Sequence, residues 1–464
     1  MRLFTDANVY VSPSVNLPSA MDQTPAEDFA SAPAPAKGPS ARQSARRIFK
    51  NAGALVGGKA AGGVLSLAYL AIAARTLGPT DMGYLVLAHA YAMIIAGVAR
   101  FQSWQAVIRF GAPLIAGEEA DRFRTLVRYA VKLDLLSAAA AIVLALALAR
   151  PAAAFFDWPD AAMPYVYVYC FATPFLISAT PTGVLRLFDR FRLLGWQQVL
   201  MPSVRFVGAV ALWIAGGGLE GFLAVWIAGV VLDGASFWLF GWRELAARGL
   251  LPALRRAPGE RADRAWLPFM VKTNIVSTIE LARSHLPLAL TGGILGSAAS
   301  GFLQIAINLS NLIAHPTNML NHATFPELSK IAAAQGARAM RKVAQRSVFT
   351  AAAIAAPFAL AYCFFGEPLA RLVGGPAFAP AGLLVGLMAL AQLLRIASVV
   401  LESGVMALGR AGYALVAQAG SASLTILLLV LALPAVGPAG APAAIMAGWV
   451  VLIAAYAAAL RRAG

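Results

Sequence analysis

The sequence is poor in cysteine, histidine and charge. It has two cysteines and four histidines, and charged residues make up 12% of the chain. Cys170 and Cys363 lie in separate apolar runs without the spacing of a metal site, which predicts ordinary core residues. The sequence also lacks a P-loop, a dinucleotide fingerprint, HExxH and CxxC. These absences argue against ATP hydrolysis by the chain itself, and no cofactor or metal is predicted.

Apolar residues, in contrast, are abundant. They form 60% of the chain, with a mean hydropathy of +0.72, whereas soluble domains have about 45–50%. Stretches of about 20 residues, each long enough to cross a bilayer as a helix, recur along the chain. We number twelve predicted spans: 53–74, 83–106, 126–149, 162–184, 195–216, 219–240, 267–291, 297–322, 343–365, 378–406, 412–433 and 439–460. The predicted fold class is an all-α polytopic membrane protein of about twelve transmembrane helices.

The chain also matches itself at an offset of 218 residues. Leu77-Gly78 falls on Leu295-Gly296, and Gly83-Tyr84-Leu85 falls on Gly301-Phe302-Leu303. Six spans per half is an even number, so both halves enter the membrane from the same face and the repeats are predicted to be parallel. The predicted organisation is a disordered tail (1–48), an N-lobe (49–241), a cytoplasmic linker (242–266) and a C-lobe (267–464).

The positive charge follows the predicted topology. With the N-terminus inside, 28 of the 37 Lys and Arg residues fall on the inner side and three on the outer side. The positive-inside rule therefore predicts that both termini are cytoplasmic, and nucleic acid is not an expected partner. Basic stretches precede spans 3 and 9, at Glu118–Lys132 and Glu327–Arg346. Charge that sets the topology is the simpler interpretation of these stretches, and docking to anionic lipid headgroups is the other.

Ionisable residues inside the predicted spans are rare, and at membrane depth each is a hypothesis for function. The basic ones are Lys59, Arg100, Arg205, Lys272, Arg283 and Arg395, the acids are Asp134, Asp233, Glu280 and Glu402, and all four histidines are also in spans. The predicted cavity residues are Lys59, His89, Arg100, Lys272, Glu280, Arg283, His315 and Arg395. The four histidines are restricted to spans 2, 7 and 8, and with Lys59 of span 1 they nominate spans 1, 2, 7 and 8 as the lining of a hydrated cavity. A single histidine in a helix more often serves as an interhelical hydrogen-bond donor.

Glu280 and Arg283 are three residues apart, a spacing that allows a charge pair on one helix face. The pair is either structural or a resting state from which Arg283 turns to an anionic substrate. Arginine suits phosphate because its planar guanidinium binds two oxygens at once.

Three sequence strings resemble a known family: ARTLGP from Ala74, FQSWQAVIRFGA from Phe101 and GVLRLFDRFRLLGWQQVLMPSVR from Gly183. They are similar to the polysaccharide exporter or O-antigen flippase family of the multidrug/oligosaccharidyl-lipid/polysaccharide exporter superfamily. The resemblance implies two six-helix lobes around a central cavity. It also implies movement of undecaprenyl-diphosphate-linked glycan across the bacterial inner membrane for lipopolysaccharide or exopolysaccharide biosynthesis. A polysaccharide polymerase and a chain-length regulator are the implied partners.

The diphosphate of such a substrate needs cations. The candidate phosphate contacts are Lys59, Arg100, Lys272 and Arg283, and less strongly Arg395.

Other functions remain open at this point. A multidrug-and-toxin extrusion antiporter shares the architecture, but it moves organic cations and usually relies on acidic residues within a lobe. A major-facilitator transporter has six plus six helices, yet the segment after Arg109 lacks its Gly-rich motif. An enzyme such as a polymerase or ligase would need a large external loop, and the predicted external loops are short. We therefore expect a transporter and not an enzyme.

Overall fold

The structure, a computed structural model, describes residues 41–253 and 263–462, except for the side chains of 41–52, 54–56, 276, 314–327, 329–330 and 333. Residues 1–40 of the predicted tail therefore lie outside the described residues, and the first helix begins at Ala41. The predicted linker is described only in part, because its residues 254–262 lie outside as well. The helix before it continues to Ala247 and the next helix begins at Trp266.

The described chain is helical and contains no strand. Its helices are α1 Ala41–Ala99, α2 Ser103–Ala116, α3 Ala120–Phe156, α4 Met163–Ala172, α5 Ala179–Leu187, α6 Phe191–Ala215, α7 Leu219–Ala247, α8 Trp266–Leu295, α9 Ser297–Gly374, α10 Ala381–Ala407, α11 Ala411–Val436 and α12 Gly440–Arg461. Non-helical backbone at Gly78 and Gly336 divides α1 and α9 into two helices each. The prediction of an all-α protein with about twelve transmembrane helices in two parallel lobes is confirmed.

Eight stretches of the described chain are long and apolar enough to cross a membrane. Helix α8 does not qualify, since Lys272, Glu280, Arg283 and His285 interrupt its apolar sequence. A transmembrane helix that carries this much charge needs protein or water around its polar side. The polar composition of α8 therefore predicts that it faces the interior.

The duplication is visible in the turns. Three pairs of residues with positive φ lie 218 positions apart: Gly78 and Gly296, Glu118 and Gly336, and Asp157 and Gly375. Two further pairs, Asp189 with Gly409 and Gly216 with Gly437, lie 220 and 221 positions apart. A left-handed residue is a common way to end a helix. The two lobes therefore correspond residue for residue from 78 to 157.

These turns define two faces of the molecule. The linker face carries the turns at Glu118, Asp189, Gly249, Gly336 and Gly409, and the Gly78 face carries those at Gly78, Asp157, Gly216, Gly296, Gly375 and Gly437. Chain direction alternates between the faces with every passage, so the passage that ends at Gly78 runs from the linker face and α12 ends on that face.

The two lobes meet closely at the Gly78 face. A Cβ atom on Gly83 would lie 1.9 Å from the Ser297 carbonyl oxygen, and one on Gly301 would lie 2.4 Å from the Pro79 carbonyl oxygen. Since Ser297 corresponds to Pro79 and Gly301 to Gly83, each lobe makes the same contact with the other, as in a two-fold interface. Glycine is required at both positions because the backbones touch.

Arg75 adds a polar contact at this face. Its Nε donates to the Val373 carbonyl oxygen at 3.3 Å, and its Nη2 donates to the Leu372 carbonyl oxygen. These carbonyls lie in the last turn of α9, where helix carbonyls lack partners within the helix and favour a cation.

Two passages of the first lobe are broken within the membrane-spanning part. The second passage breaks between Ala99 and Ser103, and the fourth breaks between α4 and α5. Asp134 of α3 is 1% exposed; its Oδ1 accepts a hydrogen bond from Ser103 Oγ at 2.7 Å and its Oδ2 accepts one from the Thr180 backbone N–H at 2.8 Å. One carboxylate thus holds the first turns of both α2 and α5.

Candidate functional site

A first cavity of about 520 Å³ lies between the lobes. Most of its lining side chains are polar, and many are amides, which can both donate and accept hydrogen bonds. The lining residues are Lys59, Gly62, Gly63, Ser66 and Leu67 of α1, Gln197, Gln198, Met201 and Pro202 of α6, Asp233 and Phe237 of α7, Asn308, Asn311 and Leu312 of α9, and Arg395 of α10. Lys59 and Leu312 are exposed, so the cavity opens on the side of α1 and α9.

A second cavity of about 620 Å³ lies inside the second lobe. Besides Arg395 of α10, it contains a second cation, two acids and an aromatic ring: Arg283 and Glu280 of α8, Glu402 of α10 and Trp449 of α12. The rest of its lining comes from Ser277, Arg395, Val399, Met406, Ala411, Gly412, Ala414, Leu415, Gln418 and Leu452.

Arg395 lines both cavities and joins them. Its Nη1 donates to Gln392 Oε1 at 3.3 Å, and Gln392 Nε2 donates to Asn311 Oδ1 at 3.0 Å. This chain of bonds connects α10 to α9 and orients the guanidinium, while leaving most of its donors for a ligand. Arg395 is therefore the central cation of the site.

Arg283 is held in place by the second lobe. Its Nη2 lies 3.2 Å from the Gln418 carbonyl oxygen and 3.3 Å from Ser421 Oγ, and its guanidinium lies 4.3 Å from the centre of the Trp449 ring. The Nε group is buried and has no partner. The charge pair with Glu280 that the spacing allows is not formed, because α11 and α12 supply these contacts instead.

Lys59 projects from a tightly packed stretch of α1. A Cβ atom on Gly58 would lie 2.2 Å from the Gly195 carbonyl oxygen, and one on Gly62 would lie 2.4 Å from the Gln198 carbonyl oxygen. The two glycines let α1 approach α6 closely, as small residues do in membrane helices. This packing fixes the position of Lys59 in the cavity wall.

Two predicted residues, both on the second passage, lie outside the linings of the two cavities. His89 Nδ1 is hydrogen-bonded to the Tyr169 hydroxyl, and its ring lies 5.4 Å from that of Trp226. Arg100 follows the break after Ala99; its Nε is buried without a partner, and its charge acts on Asp134. The second passage therefore does not line the two cavities.

The remaining predicted residues are Lys272 and His315. Lys272 is exposed and lines neither cavity. The side chain of His315 lies outside the described residues. Spans 1, 7 and 8 thus contribute to the cavities as expected, and spans 5, 6, 10, 11 and 12 contribute as well.

The structure also places residues in the site that sequence reasoning left out. Gln197, Asn308, Asn311 and Gln392 were not singled out because a neutral amide gives a weaker sequence signal than a charge. Asp233 and Glu402 stood among the intramembrane acids, but the sequence did not show which of those acids face a cavity.

Residues 72–381 match the family described as "Polysaccharide biosynthesis protein". The chain belongs to the polysaccharide biosynthesis protein family. It is 32% identical over 335 residues to inner membrane protein YghQ of Escherichia coli (strain K12), which covers 71% of this chain and 93% of that protein. Membership explains the resemblance of the strings that begin at Ala74, Phe101 and Gly183.

Solved structures show the fold of this family member. A transporter of the multidrug resistance MATE family in its inward-facing conformation has a TM-score of 0.69 at 13% identity, covering 86% of this chain and 94% of that one. The lipid II flippase MurJ in an inward closed conformation has a TM-score of 0.64 at 12% identity, covering 90% of this chain and 87% of that one. The chain is therefore a multi-pass membrane protein of the polysaccharide biosynthesis protein family, and its fold is similar to the folds of these two proteins.

Proposed function

We propose that this protein flips undecaprenyl-diphosphate-linked glycans across the inner membrane for lipopolysaccharide or exopolysaccharide biosynthesis. The observation that carries the proposal is the position of Arg395, which joins two polar cavities, one of them lined by amides. A diphosphate needs cations, and a glycan needs many hydrogen-bonding partners. This site offers both, and family membership supplies the polysaccharide context.

Each part of the substrate has a counterpart in the site. Lys59, Arg395 and Arg283 would receive the diphosphate, with charge-assisted bonds that are about twice as strong as neutral ones. The amides Gln197, Gln198, Asn308 and Asn311 would bind sugar hydroxyls. The opening of the first cavity beside α1 and α9 would leave the polyprenyl chain in the bilayer.

Alternating access of the two lobes would complete the movement. The linker face would be cytoplasmic, as the positive-inside rule predicts, and the lobes would separate at the Gly78 face to release the glycan. A polysaccharide polymerase and a chain-length regulator would act on the product.

The test is translocation of a fluorescent polyprenyl-diphosphate oligosaccharide by the purified protein in vesicles. We expect Arg395→Ala and Arg283→Ala each to slow flipping about tenfold to a hundredfold, since a hydrogen bond to a charged group contributes about 1.5–3 kcal/mol. Arg192→Ala is the matched control, because Arg192 is an exposed basic residue outside both cavities. In cells, Arg283→Ala should stay in the membrane while lipid-linked repeat units accumulate on the inner leaflet.

Normal flipping by both cavity variants would contradict the proposal. Glu280 and Glu402 in the second cavity favour one alternative, an antiporter for organic cations. That alternative predicts uptake of a cationic dye driven by a proton or sodium gradient, with no movement of the lipid-linked glycan.

A further inference from the structure

The exact offset of the duplication allows two helices to be compared residue by residue. Helix α3 is bounded by the positive-φ residues Glu118 and Asp157, and the second half of α9 is bounded by Gly336 and Gly375. Both pairs are separated by 218 positions, so no residue is inserted or deleted between them. Arg124 therefore corresponds to Lys342, and Arg128 corresponds to Arg346.

In the first lobe both basic residues are occupied by the protein itself. Arg124 bonds to Asp121 Oδ1 at 2.5 Å and donates to the Gly249 carbonyl oxygen at 2.7 Å. Arg128 is 9% exposed, and its Nη1 lies 3.5 Å from the Ala253 carbonyl oxygen. The start of the connection between the lobes thus covers this pair and supplies its acceptors.

In the second lobe the equivalent pair is open. Lys342 and Arg346 are exposed, and neither has a hydrogen bond or ion pair with another described residue. They line a surface groove of about 440 Å³ together with Gln345, Phe349 and Thr350. The groove therefore presents two cations, an amide and a hydroxyl along one side of a helix.

The groove lies where the helix meets the lipid. Phe349 is 77% exposed, and Ile354 and Phe358, further along the same helix, are 55% and 60% exposed. Such an apolar surface in a membrane protein faces hydrocarbon, while the basic residues one or two turns earlier reach the headgroup level. The ligand that borders this surface is a membrane lipid.

We propose that Lys342, Gln345, Arg346 and Thr350 form a binding site for the phosphate of an anionic phospholipid headgroup on the linker face. Residues four apart on a helix are neighbours about 5–6 Å apart, a separation that one phosphate group can bridge. Arginine and lysine provide the charge, and Phe349 contacts the acyl chain. The site is separate from the two cavities, so it does not depend on the proposed transport activity.

The experiment measures lipid binding to the delipidated full-length protein by native mass spectrometry, with phosphatidylglycerol and phosphatidylcholine of the same acyl chains. We expect wild-type protein to prefer phosphatidylglycerol. Lys342→Gln with Arg346→Gln should lower its affinity for phosphatidylglycerol about thirtyfold, because each basic residue near an anionic surface contributes about fivefold. Lys342→Arg with Arg346→Lys should retain the preference, which shows that the positions tolerate substitution.

The first lobe provides the matched control. Arg124→Gln with Arg128→Gln removes the same number of charges from the equivalent positions, but those residues already have protein acceptors. This variant should keep its phosphatidylglycerol affinity and lose thermal stability.

Unchanged phosphatidylglycerol binding by the Lys342 and Arg346 variant would overturn the proposal. Displacement of phosphatidylglycerol from this groove by an equimolar polyprenyl-diphosphate glycan would also overturn it, because the groove would then be a substrate site.

Discussion

Arg205 of α6 is the most deeply enclosed cation in the described part of the first lobe. It is 5% exposed, and its guanidinium lies 4.3 Å from the Trp226 ring centre and 5.7 Å from that of Tyr69. Its one hydrogen bond runs from Nη1 to the Tyr69 hydroxyl at 3.3 Å, and Nε and Nη2 are buried without a partner. The side chain is one turn from Met201 in the wall of the first cavity.

The energetic balance at Arg205 is unfavourable. Each of the two buried unpaired donors destabilises the folded state by about 1–3 kcal/mol. A desolvated cation–π contact stabilises it by about 2 kcal/mol. A buried charge without an ion partner is costly, and Arg205 forms no ion pair with another described residue. We therefore expect Arg205→Met to keep or raise the Tm of the purified protein while slowing transport.

Arg205→Lys is the control for charge in this experiment, because it keeps the cation but loses the planar stacking on Trp226. We expect it to be less stable than Arg205→Met. A large drop in Tm for Arg205→Met would show that the cation holds the lobe together, which is the opposite of this prediction.

At the scale of elements, the broken passages depend on Asp134. Asp134→Ala would leave the Thr180 N–H and the Ser103 hydroxyl without their acceptor inside the protein. Each unsatisfied buried group costs about 1–3 kcal/mol, so we expect a clear loss of thermal stability, and a smaller loss for Asp134→Asn. Thermal unfolding in detergent measures both variants.

Ser137→Ala is a suitable comparison, because Ser137 lies on the same helix, is 2% exposed and donates only to the Leu133 carbonyl oxygen within its own helix. Its removal should change the Tm little. Equal losses for Ser137→Ala and Asp134→Ala would mean that any polar change in this stretch of α3 matters, and not the bonds to α2 and α5.

These elements also show what the sequence could predict. Hydrophobic length predicted the passages, and the paired glycines at Gly83 and Gly301 predicted the duplication. The break after Ala99 could not be predicted, since Ala99–Gln102 contains no proline or glycine, and Asp134 reaches it from another helix. Short-range spacing also could not decide whether Arg283 pairs with Glu280, because residues more than 130 positions away supply its hydrogen bonds.

At the scale of the whole molecule, the remaining expectation is the orientation in the membrane. The predicted inner segments of the sequence hold 28 of the 37 Lys and Arg residues, and the predicted outer loops hold three. The turns of the described inner segments lie on the linker face. Positively charged loops stay in the cytoplasm. We expect a green fluorescent protein fused after Arg462 to be fluorescent, and alkaline phosphatase inserted at Gly216 to be active. Phosphatase activity at the Arg462 fusion would reverse the assignment.

The paired contact at the Gly78 face has a consequence for how this face separates. Gly83 against Ser297 and Gly301 against Pro79 are two copies of one contact around a common axis. When two rigid lobes move apart across that axis, neither copy can be released while the other stays intact. Opening is therefore expected to be cooperative, because both backbone contacts must separate in a single step. A half-open intermediate should be sparsely populated.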